Sequence, residues 1–297
     1  MEKVLVLLAT YNGEKFLRQQ LDSIFSQDGV EVTVLARDDG STDGTCNILD
    51  EYQGKHDLTW YTGEHLNVKK GFFDLMKKGA EREYDFYAFS DQDDVWDADK
   101  LKTGIAAIRS FEGPALYYCG QRLVDENLSL IGDHELNDKR DLKARFVLSD
   151  FAGCTGVFNR ALLTEVAGYE PSYMLMHDTW ILKVCLGIGG NVVVDPKAHM
   201  NYRQHGGNTL GLKRSLRGYI KQVGQYLGEY MVEPQMTELI LGYGDRLISP
   251  YKEIATWCCE YRNNRKYRKK LLDKKNIDFC ARGLNLTYYL KVMLNRL

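Results

Sequence analysis

The chain has 297 residues, 44% hydrophobic and 27% charged, with a net charge of −2. That is an ordinary globular composition, enough for one large domain or two modest ones, and no apolar run approaches the ~18 residues of a membrane span. Residues 213–297 carry 17 Lys and Arg against 8 Asp and Glu, and the rest 22 against 33, so an acidic body, a poor partner for nucleic acid, carries a basic C-terminal part.

Residues 3–9 form an apolar run that predicts a central parallel strand. The run after Met1 is too short for a signal peptide and lacks a small-residue cleavage site. Residues 14–26 place Phe16, Leu17, Leu21, Ile24 and Phe25 at helical spacing. Glu31–Ala36 reads as a second strand, and residues 43–52 as a helix capped by Ser41, Thr42 or Asp43. A strand at Leu58–Tyr61, a helix over 70–82, a strand at Asp85–Ser90 and a helix over about 98–111 continue the alternation. This pitch predicts an open α/β sheet, whose ligands lie at the carboxyl ends of the strands. Three of those ends are polar: Thr10–Gly13, Asp38–Ser41 and Ser90–Asp94.

Past residue 115 the alternation weakens. Ala115–Tyr118, Gln121–Val124, Thr155–Phe158 and Asn191–Val194 read as strands, and Ala198–Arg203 as a strand or extended chain. Arg160–Val166 and His177–Leu186 read as helices. After Gly211 the signals are helical, which divides the chain into 1–212 and a basic helical extension, 213–297. Seven cysteines, none in a C-x-x-C pair, read as reduced thiols of a cytosolic protein.

Each motif has a functional and a plain reading. In DQDD, Asp91 and Asp93 are two apart, so an extended backbone sends both to one side, where a hard Mg²⁺ or Mn²⁺ would bind a substrate diphosphate. The plain reading is a solvated loop whose Asp94 or Asp97 caps the next helix. DDGSTDGT, at 38–45, offers Asp38 or Asp39 to a nucleotide base, or only turn and cap chemistry. A calcium loop there would need a helix upstream, where a strand is predicted. Tyr11 in ATYNG could stack on a base. Asp178 in HDTW is a general base or a helix N-cap. His205, before two glycines, is a structural histidine or a metal-reaching one. No G-x-G-x-x-G follows the first strand and no P-loop sequence exists.

Together ATYNG, RDDGSTDGT, FSDQDDVWDADKL, HDTW and YRQHGGNTLG, in this order over about residues 3–210, resemble a family 2 glycosyltransferase of the GT-A fold. DQDDVW with HDTW and YRQHGGN is similar to its rhamnosyltransferase-like branch. The resemblance implies an inverting, metal-dependent transferase with Mn²⁺ or Mg²⁺, a nucleotide-diphosphate sugar donor of the dTDP-rhamnose or UDP-hexose class, and a saccharide acceptor, lipid-linked in many bacterial polysaccharide pathways. It assigns Ala9, Tyr11, Asp38, Asp39, Asp91 and Gln92 to the nucleotide sugar, Asp91, Asp93 and His205 to the metal, Asp178 to the base, and Gly153–Gly156 to the acceptor side. Gly71 departs from it, standing where asparagine is common. The rival functions are a non-catalytic nucleotide-sugar or carbohydrate-binding protein and a sugar nucleotidyltransferase. The basic extension, ending in the apolar and aromatic Leu284–Leu297, suits an anionic membrane surface, which would make a cytoplasmic protein peripheral on the inner face of the membrane.

Overall fold

The computed structural model describes residues 1–205 and 231–297. The first half is an alternating α/β unit. Strands β1 (Glu2–Thr10), β2 (Val30–Asp38), β3 (Leu58–Thr62) and β4 (Phe86–Ser90) lie parallel in the order β3-β2-β1-β4. They are joined by helices α1 (Leu17–Phe25), α2 (Thr45–Gln53) and α3 (Val68–Ala80). Val4 to Leu8 are wholly buried because helices cover both faces of the sheet. Alternation divides them: Val4, Val6 and Leu8 join the core beneath α1 and α2, while Leu5 and Leu7 join the core beneath α3.

The second half makes the sheet mixed. It adds β5 (Val95–Trp96), α4 (Lys100–Ile108), β6 (Ala115–Val124), β7 (Leu130–His134), α5 (Leu142–Val147), a 3₁₀ turn at Gly153–Thr155, β8 (Gly156–Asn159), α6 (Arg160–Ala167), α7 (His177–Gly187) and β9 (Asn191–Arg203). The order runs on from β4 through β8, β6 and β9 to β5, with β7 paired to β6. β8 is antiparallel to both neighbours, β9 parallel to β6, and β5 antiparallel to β9.

Two pairs of expected strands prove continuous. Residues 115–118 and 121–124 are one strand, as are 191–194 and 198–203. The polar Asp195-Pro196-Lys197 that seemed to divide the latter is a bulge: Cys119 pairs with Asp195, but Gly120 pairs with Ala198. Gly120 permits it, since a Cβ there would lie 2.5 Å from the Pro196 carbonyl oxygen.

Helices α8 (Val232–Tyr243), α9 (Tyr251–Glu260), α10 (Arg265–Leu272) and α11 (Arg282–Met293) complete the described chain. Their Met236, Leu239, Ile254, Leu271 and Tyr288 belong to the same apolar cluster as Leu5, Phe72 and Trp180. The expected boundary at 212/213 and the glycines after His205 lie outside the described residues.

Candidate active site

Three loops at the carboxyl ends of β1, β2 and β4 are built on one another. Asp38 is fully buried and organises two of them. Its carboxylate accepts from the Thr10 hydroxyl (2.9 Å), the Gly40 and Ser41 amides (3.0 and 2.7 Å) and the Ser41 hydroxyl (2.6 Å). Asp38 is thus occupied by the turn it organises. Gly40, at φ +86°, allows this turn. Asn12 and Ser41 tie the loops directly: the Asn12 amide donates to Ser41 Oγ (2.8 Å) and the Thr42 amide to Asn12 Oδ1 (2.9 Å).

Asp39 points elsewhere and pairs with Arg37, which is 2% exposed and also holds Asp74 (3.1 Å) and the Glu64 carbonyl (2.7 Å). A Cβ at Gly71 would lie 3.2 Å from Arg37 Nη1, so the departure at this position leaves room for the Arg37–Asp39 pair. Ala9 is half-buried in β1, paired with Arg37. Tyr11 is 47% exposed, its ring 4.8 Å from that of His65. Gln92 uses both ends of its amide on the Tyr11 backbone (2.8 and 3.0 Å), and so supports Tyr11. A Cβ at Gly13 would collide with that amide at 2.2 Å.

The acids of DQDD divide into two sets. Asp93 Oδ2 meets His205 Nε2 at 2.6 Å, which brings together two of the residues assigned to the metal. The third, Asp91, turns toward Asp94 and Cys154, with ligand atoms of all three within 4.8 Å of one another. Asp94 does not cap α4, whose N-cap residue is Asp99, and Asp97 pairs with Arg122. Instead Asp94 is fully buried: Oδ1 accepts the Arg203 amide (3.1 Å), and Oδ2 has no hydrogen-bond partner among the described residues. Burial, with the charges of Asp93 and Asp178, pushes Asp91 up to about 7. Burial, with Asp93 and Asp91, pushes Asp94 well above the carboxylate range.

Two neighbouring carboxylates, one with a buried oxygen that meets no hydrogen-bond criterion, suit a cation. Oxygen donors suit Mn²⁺ or Mg²⁺. Burial, with the charges of Asp94 and Asp91, raises the Cys154 thiol well above its usual range, and hard cations prefer the oxygen donors beside it. Among the described residues a second such cluster, Asp97, Asp99 and His199, already pairs internally and with Arg122.

Arg203 fastens the acids in place. It is 1% exposed and donates to the Asp93 carbonyl (2.7 Å), Gln19 Oε1 (2.7 Å) and the Glu126 carbonyl, with its guanidinium 4.5 Å from the Phe16 ring centroid. Just after α1, Gln27 donates to the Asp97 carbonyl (2.7 Å) and accepts the Leu101 amide (2.9 Å), which clamps the far end of the same loop.

Asp178 lies in the first turn of α7, after the N-cap residue Met176. It bonds across to the Gly153 amide (3.1 Å) and to the amide and hydroxyl of Thr179. Burial raises its pKa to about 6, against the lowering effect of these donors. His177 is 4% exposed, stacked on Phe72 at 3.9 Å, and burial lowers it to about 3, so it is neutral. A Cβ at residue 153 would meet His177 Nε2 at 2.5 Å, which requires Gly153.

Asp91, Asp94 and Asp178 retain protons that an unfolded chain releases near pH 4. Between that pH and about 7 the folded state binds more protons, so stability falls as pH rises. Without metal, melting several degrees lower at about pH 7.5 than at about pH 5.5 is expected, with Mn²⁺ raising the melting point more at the higher pH. Asp91→Asn should flatten the difference; equal pH dependence in both proteins would contradict it.

A family model described as glycosyl transferase family 2 matches residues 5–166. The chain is 29% identical over 233 residues to the dTDP-rhamnosyl transferase RfbG of Shigella flexneri, covering 73% of this chain and 78% of that one. Further curated relatives at 23–26% identity are spanned over 56–58% of their length. The fold is that of Staphylococcus aureus TarS 1–349, solved with UDP-GlcNAc: TM-score 0.59, 18% identity, 99% of this chain and 91% of that one. The mannosyltransferase PcManGT of Pyrobaculum calidifontis, solved with GDP-Man and Mn²⁺, gives a TM-score of 0.55 at 15% identity over 99% and 87%.

Proposed function

The chain belongs to glycosyl transferase family 2, with the GT-A fold, and is a glycosyltransferase; we propose that it moves a sugar from a nucleoside-diphosphate donor to a saccharide hydroxyl, in one inverting displacement, during synthesis of a bacterial cell-surface polysaccharide. The relation to RfbG favours a dTDP-rhamnose-class donor over a UDP-hexose.

The base lies against Tyr11, with Asp39 accepting its ring N–H and the Ala9 backbone at its edge. Asp91 and Asp94, with Asp93 and His205 beside them, would hold Mn²⁺ or Mg²⁺ where the diphosphate of the donor binds. When bound, the cation offsets negative charge on the departing diphosphate. Asp178 takes the acceptor hydroxyl proton as the acceptor oxygen bonds to the anomeric carbon and the bond to the diphosphate breaks on the opposite face. The nucleoside diphosphate leaves. Residues 1–212 form the catalytic domain in this reading and 213–297 its extension. No described helix is long and apolar enough to cross a membrane, and a cytoplasmic protein peripheral on the inner membrane fits a lipid-linked acceptor.

The observation that carries the reading is Asp178: half-buried, raised to about 6, and near enough to Asp91 for its charge to raise that acid too. The test is acceptor-dependent and metal-dependent release of nucleoside diphosphate from a sugar nucleotide. Release of pyrophosphate from a nucleoside triphosphate would instead assign a nucleotidyltransferase, and binding without turnover a binding protein. Gln92→Ala releases the Tyr11 backbone and should weaken nucleotide binding roughly tenfold, through two lost hydrogen bonds, with kcat little changed. A variant whose loss falls on kcat alone would contradict the supporting role.

A further inference from the structure

Helix α11 is inside out. Its inner face carries Asn285, Tyr288, Lys291 and Val292, all buried. Its outer face carries Leu286, Leu290, Met293 and, at the C-cap, Leu294, which are 61, 45, 57 and 60% exposed. At spacings of four, three and one, these four form one stripe. The inward turn is fixed by packing: Asn285 accepts the Phe279 amide (3.1 Å) and donates to Asp278 (2.8 Å), while Tyr288 packs on Phe279. A helix that buries an asparagine and a lysine while exposing four large apolar side chains has an outer face suited to an apolar medium.

The surrounding charge says which medium. Residues 261–297 carry 11 Lys and Arg against 2 Asp. Lys269, Lys270, Lys274 and Lys275 are exposed on and just after the adjoining helix α10, and Arg282 and Arg296 lie at the two ends of the stripe. A second copy of this chain would bring two such basic sets together and be repelled. An anionic surface would be attracted, at about 1 kcal/mol per Lys or Arg close to it. We propose that the outer face of α11 docks in the plane of an anionic phospholipid bilayer, with the flanking lysines and arginines on its headgroups.

The position of α11 relates this to the cleft. Asn137 Nδ2 donates to the Cys280 carbonyl (3.3 Å), Cys280 Sγ to the Lys139 carbonyl (3.1 Å), and Arg140 lies over the Phe279 ring (5.0 Å). The loop before α11 is thus fastened to the segment that runs on through α5 to Gly153, the residue that holds Asp178. A docked α11 would bring this side of the cleft to the membrane, a consequence that rests on the proposed transferase reading; the docking itself does not.

The test is co-sedimentation of the full chain with phosphatidylcholine vesicles, with and without phosphatidylglycerol. The expected result is binding to the mixed vesicles only, weakened by salt. Replacing Leu286, Leu290, Met293 and Leu294 by Asn should weaken it roughly tenfold or more, and replacing Lys269, Lys270, Lys274 and Lys275 by Gln roughly a hundredfold. Nucleoside-diphosphate binding and far-ultraviolet dichroism should stay unchanged in both, and the lysine variant and the salt series stand even if the apolar variant folds poorly. Failure of the wild type to bind, equal binding to both vesicles, or a solution dimer that the four Asn substitutions split would each overturn the proposal, the last by assigning the face to a second copy.

Discussion

Asp178→Asn is expected to slow sugar transfer by a factor of about 10² to 10⁴ while leaving nucleoside-diphosphate binding nearly unchanged. The substitution preserves shape. An asparagine oxygen can still accept the Gly153 amide at the place where Asp178 accepts it at 3.1 Å. What is lost is the proton acceptor. With the wild-type pKa at about 6, the rate should rise about tenfold per pH unit below that value and level off above it, because only the ionised form accepts the acceptor's proton. The expected signature is a fall in kcat with the rising limb gone. A variant that keeps its rate would remove Asp178 from the chemistry, and one that also loses nucleotide binding would make it a structural residue.

Arg203→Met should be the most damaging single change to the architecture of the site. The side chain is 1% exposed and joins four segments: the acid loop through the Asp93 carbonyl, α1 through Gln19, the turn after β6 through Glu126, and its own strand β9. Methionine fills much of the volume but supplies no donor, so two part-buried carbonyls and an amide oxygen lose their partner. Leaving such acceptors without a donor costs about 1–3 kcal/mol. Losing the guanidinium also removes positive charge beside Asp93 and Asp94, which should make the unloaded acid cluster retain protons more strongly. The expected result is a large fall in the urea midpoint, partly recovered by Mn²⁺. An unchanged midpoint with unchanged Mn²⁺ affinity would contradict this role. Arg203→Lys should recover only part, because a lysine cannot span the same set of acceptors.

The parallel half of the fold was legible because buried strands are continuous apolar runs with helical spacing between them. The second half was legible in part: β6, β8, β9, α6 and α7 fall close to the expected segments, while β5, β7 and α5 were missed. Its β5 is two residues long, too short for any period, and β9 crosses a bulge that contains a proline. Motif position at the strand ends gave the site its general place. Which acid of each pair faces the cleft did not follow, since adjacent strand residues point opposite ways and the choice between Asp38 and Asp39 is made by Thr10, Ser41 and Arg37. Asp94 was invisible as an inward residue for a similar reason: the Arg203 amide it meets is 109 positions away. The inverted face of α11 shows the same limit. Periodicity finds a stripe, while packing decides whether it faces in or out.

The most direct test of the central claim, a metal–diphosphate site on Asp91–Asp94, is calorimetric titration of dTDP, UDP and GDP into the wild type and Asp93→Ala, each with and without Mn²⁺. One nucleotide, with dTDP favoured, is expected to bind only when Mn²⁺ is present, and Asp93→Ala to abolish this binding. Binding of equal strength without metal, or unchanged in Asp93→Ala, would contradict it.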